Sequence, residues 1–499
     1  MYDIHSLKDF TAPRIPARAT PILEAHCMRP LHRVPGTRLP VLFSTLLAAL
    51  LSGGCMSVPQ AGPAFRYYSA RQKASPTIVS DHKRLSASRV RAVMKMLQPG
   101  SSAADSLERH MALEEAISSH PLRAGNRVTL LVNRAATYAA IFKAIRDARK
   151  NVNVETYILS ADKAGYEFAE LLMKKASSGV QVHLIYDSIG SMCTPPAFFN
   201  RLTSAGVAVL PFNPPTPLST LPLPCPWSMV HRDHRKLVTV DDRVAFIGSA
   251  NISDRCAKTG GPLPGLGGGK LPWRDTDIQI EGPAAHSFQK LFCDTWKKQH
   301  GPPIAEQDNS EFKKPAGDDL VRVVGSTWGE KNRDNYFAYL AAINSAQRSI
   351  HLTCSYFVPD QQLVEALTGA ARRGVDVRII LPHRSDVPLA QYGSRCYYGL
   401  LLRSGIKLYE RKDVILHSKS AVIDGVWSTV GSDNMDLWSI LRNNELNAVI
   451  LGRDFAAKME KLFQKDLQNS DRITPRNWKR RSIPERFMEM LTAPLAYWL

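Results

Sequence analysis

The sequence predicts an α/β protein of two duplicated lobes, each a mixed, mostly parallel β-sheet flanked by helices, related by a pseudo-two-fold axis around one shared active site. Three observations predict it. Strand-like and helix-like segments alternate at the lengths of β-α-β units. The stretches "SSGVQVHLIYD" (177–187) and "RRGVDVRIILP" (372–382) share a glycine stop and a hydrophobic rhythm. A spaced set of histidine, lysine and aspartate then occurs in each half, at His234 and at His417.

The first half opens with "RVTLLVN" (127–133), a strand by alternation and β-branched content. "TYAAIFKAIRDAR" (137–149) has helical apolar spacing. Next come a strand "VNVETYIL" (152–159), a helix "YEFAELLMKKASSG" (166–179) closed by glycine, and a buried strand "VQVHLIYD" (180–187). The second half repeats the order: helix "YFAYLAAINSAQ" (336–347), strand "SIHLTCSYFVP" (349–359), helix "QLVEALTGAARRG" (362–374) and strand "VDVRIILP" (375–382). The lobes are expected over 120–308 and 320–470, joined by a linker at 309–319.

Outside the lobes, Arg29, His32, Arg33 and Arg38 precede thirteen uncharged residues, "LPVLFSTLLAALL" (39–51). A bilayer span needs about 17–25 apolar residues, so this run suits a secretory signal. It leads through "SGG" to Cys55, which resembles a bacterial lipoprotein signal. Residues 1–54 are then a leader starting at Met1 or Met28, and Cys55 a lipid anchor holding the protein to a membrane of the cell envelope, facing the periplasm. An ordinary secretory signal is the alternative. Residues 55–119 read as a tether with N-terminal helices, "SASRVRAVMKML" the first. Among eight cysteines there is no C-x-x-C pair, which argues against a zinc ribbon; Cys193 and Cys225 could pair after export or stay as small buried hydrophobes. The net charge of +19 attracts polyanions, and by itself does not choose between nucleic acid and an anionic membrane surface.

The duplicated segments are "HRKLVTVDDRVAFIGSANIS" (234–253) and "HSKSAVIDGVWSTVGSDNMD" (417–436). His234, Lys236, Asp241, Gly248, Ser249 and Asn251 match His417, Lys419, Asp424, Gly431, Ser432 and Asn434, with Asp, Gly and Asn 7, 14 and 17 residues after each histidine. With lysine and aspartate each near 5% of residues, a histidine starts such a triplet roughly once in 400 times, so two in register exclude chance. On a strand, residues two apart share a face, so each His-Lys pair can address one phosphate. The aspartate precedes a turn, and the returning strand brings serine and asparagine beside the pair. Two half-sites then make a pocket of two histidines and two lysines. The lysines offset phosphate charge with no metal or other cofactor required. One neutral imidazole attacks phosphorus to form a phosphohistidine while the other protonates the leaving oxygen, each with an acid fixing its tautomer.

This duplicated motif resembles the two HKD motifs of the phospholipase D superfamily. "YFVPDQQLVEAL", "NNELNAVI", "VETYIL" and "WRDTDIQIEGP" look like bacterial cardiolipin synthases, and the likeness spans about 125–480. The resemblance implies His234 as nucleophile and His417 as general acid, and it matches Asp275 and Glu445 to the acidic residues that partner the histidines. It implies phosphatidyl transfer between phospholipids, with phosphatidylglycerol as the expected substrate. Trp438 stands where an arginine is often found, so headgroup contacts there are open. The rivals are a phospholipase D that uses water as acceptor, an exported nuclease, and a non-catalytic lipid binder. No nucleic-acid partner is expected, because stacked-aromatic basic stretches are lacking. The motifs do not fix the oligomeric state.

Other features carry less. His231 has Asp233, not lysine, two places on and reads as a rim loop residue. "GGPLPGLGGGK" (260–270) lacks the glycine and the serine or threonine of a phosphate loop, since Pro264 and Leu271 occupy those places. The apolar, proline-rich 211–230 segment reads as a lipid-gathering loop or a buried irregular one. The tail 471–499 is basic and amphipathic, suited to an anionic bilayer or to packing on the body.

Overall fold

The computed structural model of the 499-residue chain describes residues 78–80, 83–84, 110–111, 121–215, 230–254, 271–304, 315–328 and 333–494. Cys55, Cys225, the "SASRVRAVMKML" segment, most of the proline-rich loop and the whole of the glycine-rich loop lie outside the described residues.

Each half places seven strands in the same spatial order. In the first half, Leu122–Val132 pairs with Thr276–Glu281, followed by Val244–Gly248, Lys236–Val240, Asn151–Thr156, Gln181–Asp187 and Ala208–Phe212. In the second, Asp319–Ser326 pairs with Glu445–Leu451, followed by Trp427–Gly431, Lys419–Ile423, Ser349–Cys354, Asp376–Pro382 and Lys407–Arg411. Ser470–Ile473 adds an antiparallel edge beyond Lys407–Arg411. The halves join where Asp319–Ser326 runs antiparallel to Leu122–Val132, so one hydrogen-bonded network crosses the duplication.

Helices sit where the apolar spacing places them. Asn133–Asp147 and Lys163–Ser177 answer Asp334–Ser345 and Gln361–Arg372. Asp162 and Asp360 cap the second helix of each pair by accepting backbone N–H groups, 3.1 Å from Gly165 and from Leu363. Each of these helices ends at a glycine in the left-handed region, Gly179 at φ +87° and Gly374 at φ +90°.

The sheet is mixed, as expected, but along each seven-strand order the parallel pairing is confined to three strands. The β-α-β crossovers make those parallel pairs. The His-Lys hairpins and the strands after them fold back antiparallel. Helix Pro388–Arg403 and the helices Pro283–Lys298 and Arg453–Gln468 add to the expected set. The latter two pack Phe288, Phe292 and Phe455 into a core that joins Ile247, Ile278 and Ile280 of the first half to Val430, Leu446 and Ala448 of the second. Truncating one of these phenylalanines to alanine would cost about 3–5 kcal/mol. This core holds the halves at a fixed register, which a site drawn from both requires. Among the described residues, no helix is long and apolar enough to cross a membrane.

Candidate active site

The two motifs meet through crossed backbone. His234 N–H donates to Asn444 O at 3.0 Å, and Asn444 N–H to Arg232 O at 2.9 Å. The mirror arrangement runs Ile415–Leu416 parallel to Trp273–Arg274, with His417 N–H on Arg274 O at 2.9 Å. Each histidine is therefore brought level with the acidic residue of the other lobe. His234 Nδ1 lies 3.0 Å from Glu445 Oε1, and His417 Nδ1 lies 2.9 Å from Asp275 Oδ1. A carboxylate on Nδ1 holds the proton there and leaves Nε2 as the lone-pair nitrogen.

Electrostatics binds the four basic groups into one site. Burial pushes His234 down to about 4 and His417 down to about 3; Lys236 and Lys419 lower both further, while Glu445 and Asp275 oppose. Both imidazoles are neutral near pH 7. Burial also brings Lys236 down to about 7 and Lys419 to about 8. Each ammonium donates to the carbonyl of its own histidine, at 2.5 Å from Lys236 and 2.7 Å from Lys419. Each also lies over an aromatic face, Tyr157 at 5.3 Å and Tyr356 at 5.5 Å. Crowded cations with little water around them invite a phosphate anion.

The remaining motif residues divide by task. Ser249 Oγ donates to Asp275 Oδ1 at 2.9 Å, and Ser432 Oγ to Glu445 Oε2 at 2.6 Å. The serines thus hold the carboxylates that hold the histidines. The glycine before each serine has no room for a side chain, because Asp277 Oδ1 and Asn447 Oδ1 occupy the place a Cβ would take. Asn251 Oδ1 accepts from Ile158 N–H at 3.3 Å, and Asn434 Oδ1 from Ser355 Oγ at 3.0 Å; both side chains are buried.

Asp241 and Asp424 depart from the expectation of a catalytic part. Five residues of strand, about 16 Å, separate each from its lysine. Asp241 accepts the N–H groups of Arg149, Lys150 and Asn151. Asp424 accepts those of Gln347, Arg348 and Ser349. Both sit at positive φ, 54° and 55°, so the turn aims the carboxylate back at the helix-to-strand connection. They frame the hairpin; they do not reach the reacting groups.

Sequence reasoning passed over several contributors. Arg134 Nε lies 3.1 Å from Asp275 Oδ2, and its guanidinium lies 4.9 Å from the centre of the Trp273 ring, which neighbours His417 at 4.7 Å. Arg235, buried, donates to Glu445 O at 3.2 Å, Ser326 O at 2.8 Å and Thr295 Oγ1 at 2.8 Å. It ties the first motif to the second lobe's strand. Tyr157 packs edge-on to His234 at 5.0 Å. The only sequence signal for these was position, since Arg235 lies inside the motif and Tyr157 in "VETYIL". His231 is half-buried, with Nε2 3.1 Å from Asn444 Oδ1 and its ring stacked on Trp328. It braces the residue beside Glu445 and does not lie free at a rim.

Two facing His-Lys half-sites on duplicated sheets, each histidine braced from the opposite lobe, define the phospholipase D class. Consistent with this, the family model for "Cardiolipin synthase, PLD-like domain" matches residues 141–259 and 339–467. A cardiolipin synthase of Geobacillus kaustophilus is 32% identical over 385 residues, 76% of this chain and 74% of that one. A probable cardiolipin synthase of Bacillus subtilis is 30% identical over 367 residues, 73% of this chain and 70% of its own length. The crystal structure of a phosphatidylserine synthase from Haemophilus influenzae shares the fold at a TM-score of 0.54 and 14% identity, over 78% of this chain and 96% of that one. The chain belongs to the cardiolipin synthase family.

Proposed function

We propose that the protein is a membrane-associated phosphatidyltransferase that moves a phosphatidyl group between phospholipids through a covalent phosphohistidine. The observation that carries this reading is the crossed pair of histidine–carboxylate contacts, His234–Glu445 and His417–Asp275. In the first step His234 Nε2 attacks the phosphodiester, the P–N bond forms, and the P–O bond to the leaving alcohol breaks. His417, protonated on Nε2, gives its proton to that oxygen. In the second step His417 takes the proton from an acceptor hydroxyl, which attacks phosphorus and breaks the P–N bond. Lys236 and Lys419 offset charge on the phosphoryl oxygens in both steps. A bound phosphodiester also counters the lysines' repulsion of an imidazolium, which raises His417 towards the protonated state it needs.

The difference between the two carboxylates supports this assignment of the histidines. Glu445 meets His234, Ser432 and Asn443, and no arginine among the described residues touches its carboxylate. No described arginine therefore competes for its charge with the imidazolium that forms on attack. Asp275 is shared with Arg134, which leaves His417 less supported as a cation and a stronger acid. Donor and acceptor are both phosphatidylglycerol in this reading, with glycerol leaving. The N-terminal signal and an acylated Cys55 would hold the enzyme to a cell-envelope membrane on the periplasmic side.

The test is to incubate the purified protein with phosphatidylglycerol and follow cardiolipin, glycerol and phosphatidic acid. Cardiolipin with glycerol in equal amounts is expected. Phosphatidic acid alone would mean hydrolysis, and no product from folded protein would remove both lipid readings.

A further inference from the structure

The helix Ile483–Thr492 is built inside out. Its polar stripe, Glu485, Glu489 and Thr492, turns towards the body of the protein, with Glu489 and Thr492 buried. Arg395 of helix Pro388–Arg403 lies 3.2 Å from Glu485, and Arg481 2.8 Å from Glu489. The Cys396 thiol donates to Glu489 O at 3.3 Å. Ser482 caps the helix, its Oγ accepting Glu485 N–H while Glu485 Oε2 accepts Ser482 N–H at 2.9 Å. Trp478 anchors the segment on Tyr398, ring centres 4.9 Å apart. Three of these contacts, from Arg395, Cys396 and Tyr398, tie the segment to helix Pro388–Arg403 and set the orientation of the helix.

The apolar stripe faces outward. Ile483, Phe487, Met490 and Leu491 follow helical spacing and are 82%, 52%, 63% and 49% exposed. An amphipathic helix on a body surrounded by water does the opposite, burying this face. Exposed arginine and lysine lie on this helix and just before it: Arg476, Lys479, Arg480 and Arg486. The two nearby acids are already paired with arginines, so the surface around the apolar stripe is positive.

We propose that this helix is an interfacial docking element, its Ile483–Phe487–Met490–Leu491 face entering the acyl boundary of an anionic bilayer while the flanking cations meet lipid phosphates. Apolar side chains ringed by cations suit the boundary between acyl chains and anionic headgroups, where such helices lie about 5–10 Å deep. A second copy of the same face would instead bring like charges together, which disfavours a dimer through this surface. The inference does not depend on the proposed chemistry, because none of these residues touches the His-Lys site.

The test uses the full chain carrying Cys55→Ser, so that no acyl group at that position contributes, and vesicles of phosphatidylglycerol mixed equally with phosphatidylcholine. The paired substitution Phe487→Glu with Met490→Glu is expected to lower the bound fraction at least tenfold. Thermal stability, and turnover of substrate in detergent micelles, should stay unchanged, since both side chains are exposed. A second variant, Lys479→Gln with Arg480→Gln, should weaken binding by roughly fivefold per charge removed on anionic vesicles. It should have no effect on vesicles of phosphatidylcholine alone. Unchanged vesicle binding by the Phe487/Met490 variant would overturn the proposal. So would a change of oligomeric state in that variant, which would assign the face to a second copy.

Discussion

The two half-sites are near copies in backbone and unequal in charge. Both present a histidine with its Nδ1 on a carboxylate, a lysine over a tyrosine, a serine bonded to the carboxylate, and an aspartate capping the distant turn. They differ in what else the carboxylate meets. Asp275 is shared with Arg134, whereas Glu445 is met by neutral donors, Ser432 and Asn443. Burial raises both carboxyls, but neighbouring cations and hydrogen bonds outweigh it and hold both below the usual range. The duplication supplies a symmetric frame, and one arginine sets the two carboxylates apart. On the proposed mechanism, near-identical scaffolds would hold opposite roles in one reaction.

The strongest way to break this comparison is to remove the histidines one at a time. His234→Ala is expected to lose activity by about 10⁴-fold or more, with no phosphoenzyme. His417→Ala should lose as much with phospholipid, yet still give a burst with an ester whose leaving group needs no proton. Quench-flow with a nitrophenyl phosphodiester measures this, and a burst from His234→Ala with none from His417→Ala would reverse the roles.

Next in size are the carboxylates. Glu445→Gln and Asp275→Asn should each cost on the order of 10²–10⁴ in kcat, because the wrong tautomer becomes accessible. If the roles differ, Glu445→Gln slows phosphoenzyme formation with the activated ester, and Asp275→Asn does not.

The pH profile gives a third test. Burial brings Lys236 down to about 7 and Lys419 to about 8, and only the charged lysines would attract phosphate. Affinity for inorganic phosphate should therefore fall as pH rises through this window, by up to tenfold per pH unit for each proton lost. The histidines act oppositely on stability. Their folded values, about 4 and about 3, lie below the ordinary 6.5, so the unfolded chain binds more protons as pH drops. Stability should be lost as pH falls from about 6.5 towards 4, checked by calorimetry. Arg134→Gln sharpens this further: removing a cation should raise the His417 titration point and leave that of His234 in place, read by nuclear magnetic resonance.

The smallest expected effect on chemistry is at the framing aspartates. Asp241→Asn or Asp424→Asn strips charge from three accepted N–H groups and should cost about 2–4 kcal/mol of stability. The folded fraction should keep kcat within tenfold, as measured by activity normalised to folded protein. A loss comparable to that of the histidines would return these residues to the reacting centre.

Much of this was legible in the sequence because repetition is a strong signal. His234, Lys236, His417 and Lys419 stood out by shared offsets, and the hairpin places them by strand periodicity alone. The offset did not reveal that aspartate serves the turn, since spacing reports equivalence between copies and not distance in space. The pairing of each histidine with the far lobe's carboxylate was likewise hidden, because 211 and 142 residues separate the partners. Arg134 was invisible for a related reason: it opens a helix in the first lobe and, among the described residues, has no counterpart on Glu445 in the second. The excess of antiparallel pairing escaped because helix–strand alternation reports only the crossovers.

The crossed carboxylates also bear on when this chemistry can begin. The ribosome releases the first motif well before Glu445, 211 residues further on, and until then this carboxylate cannot fix the His234 tautomer. On the proposed mechanism, reactivity waits until strand Glu445–Leu451 closes on the first motif, so the order of synthesis would set a safety interval.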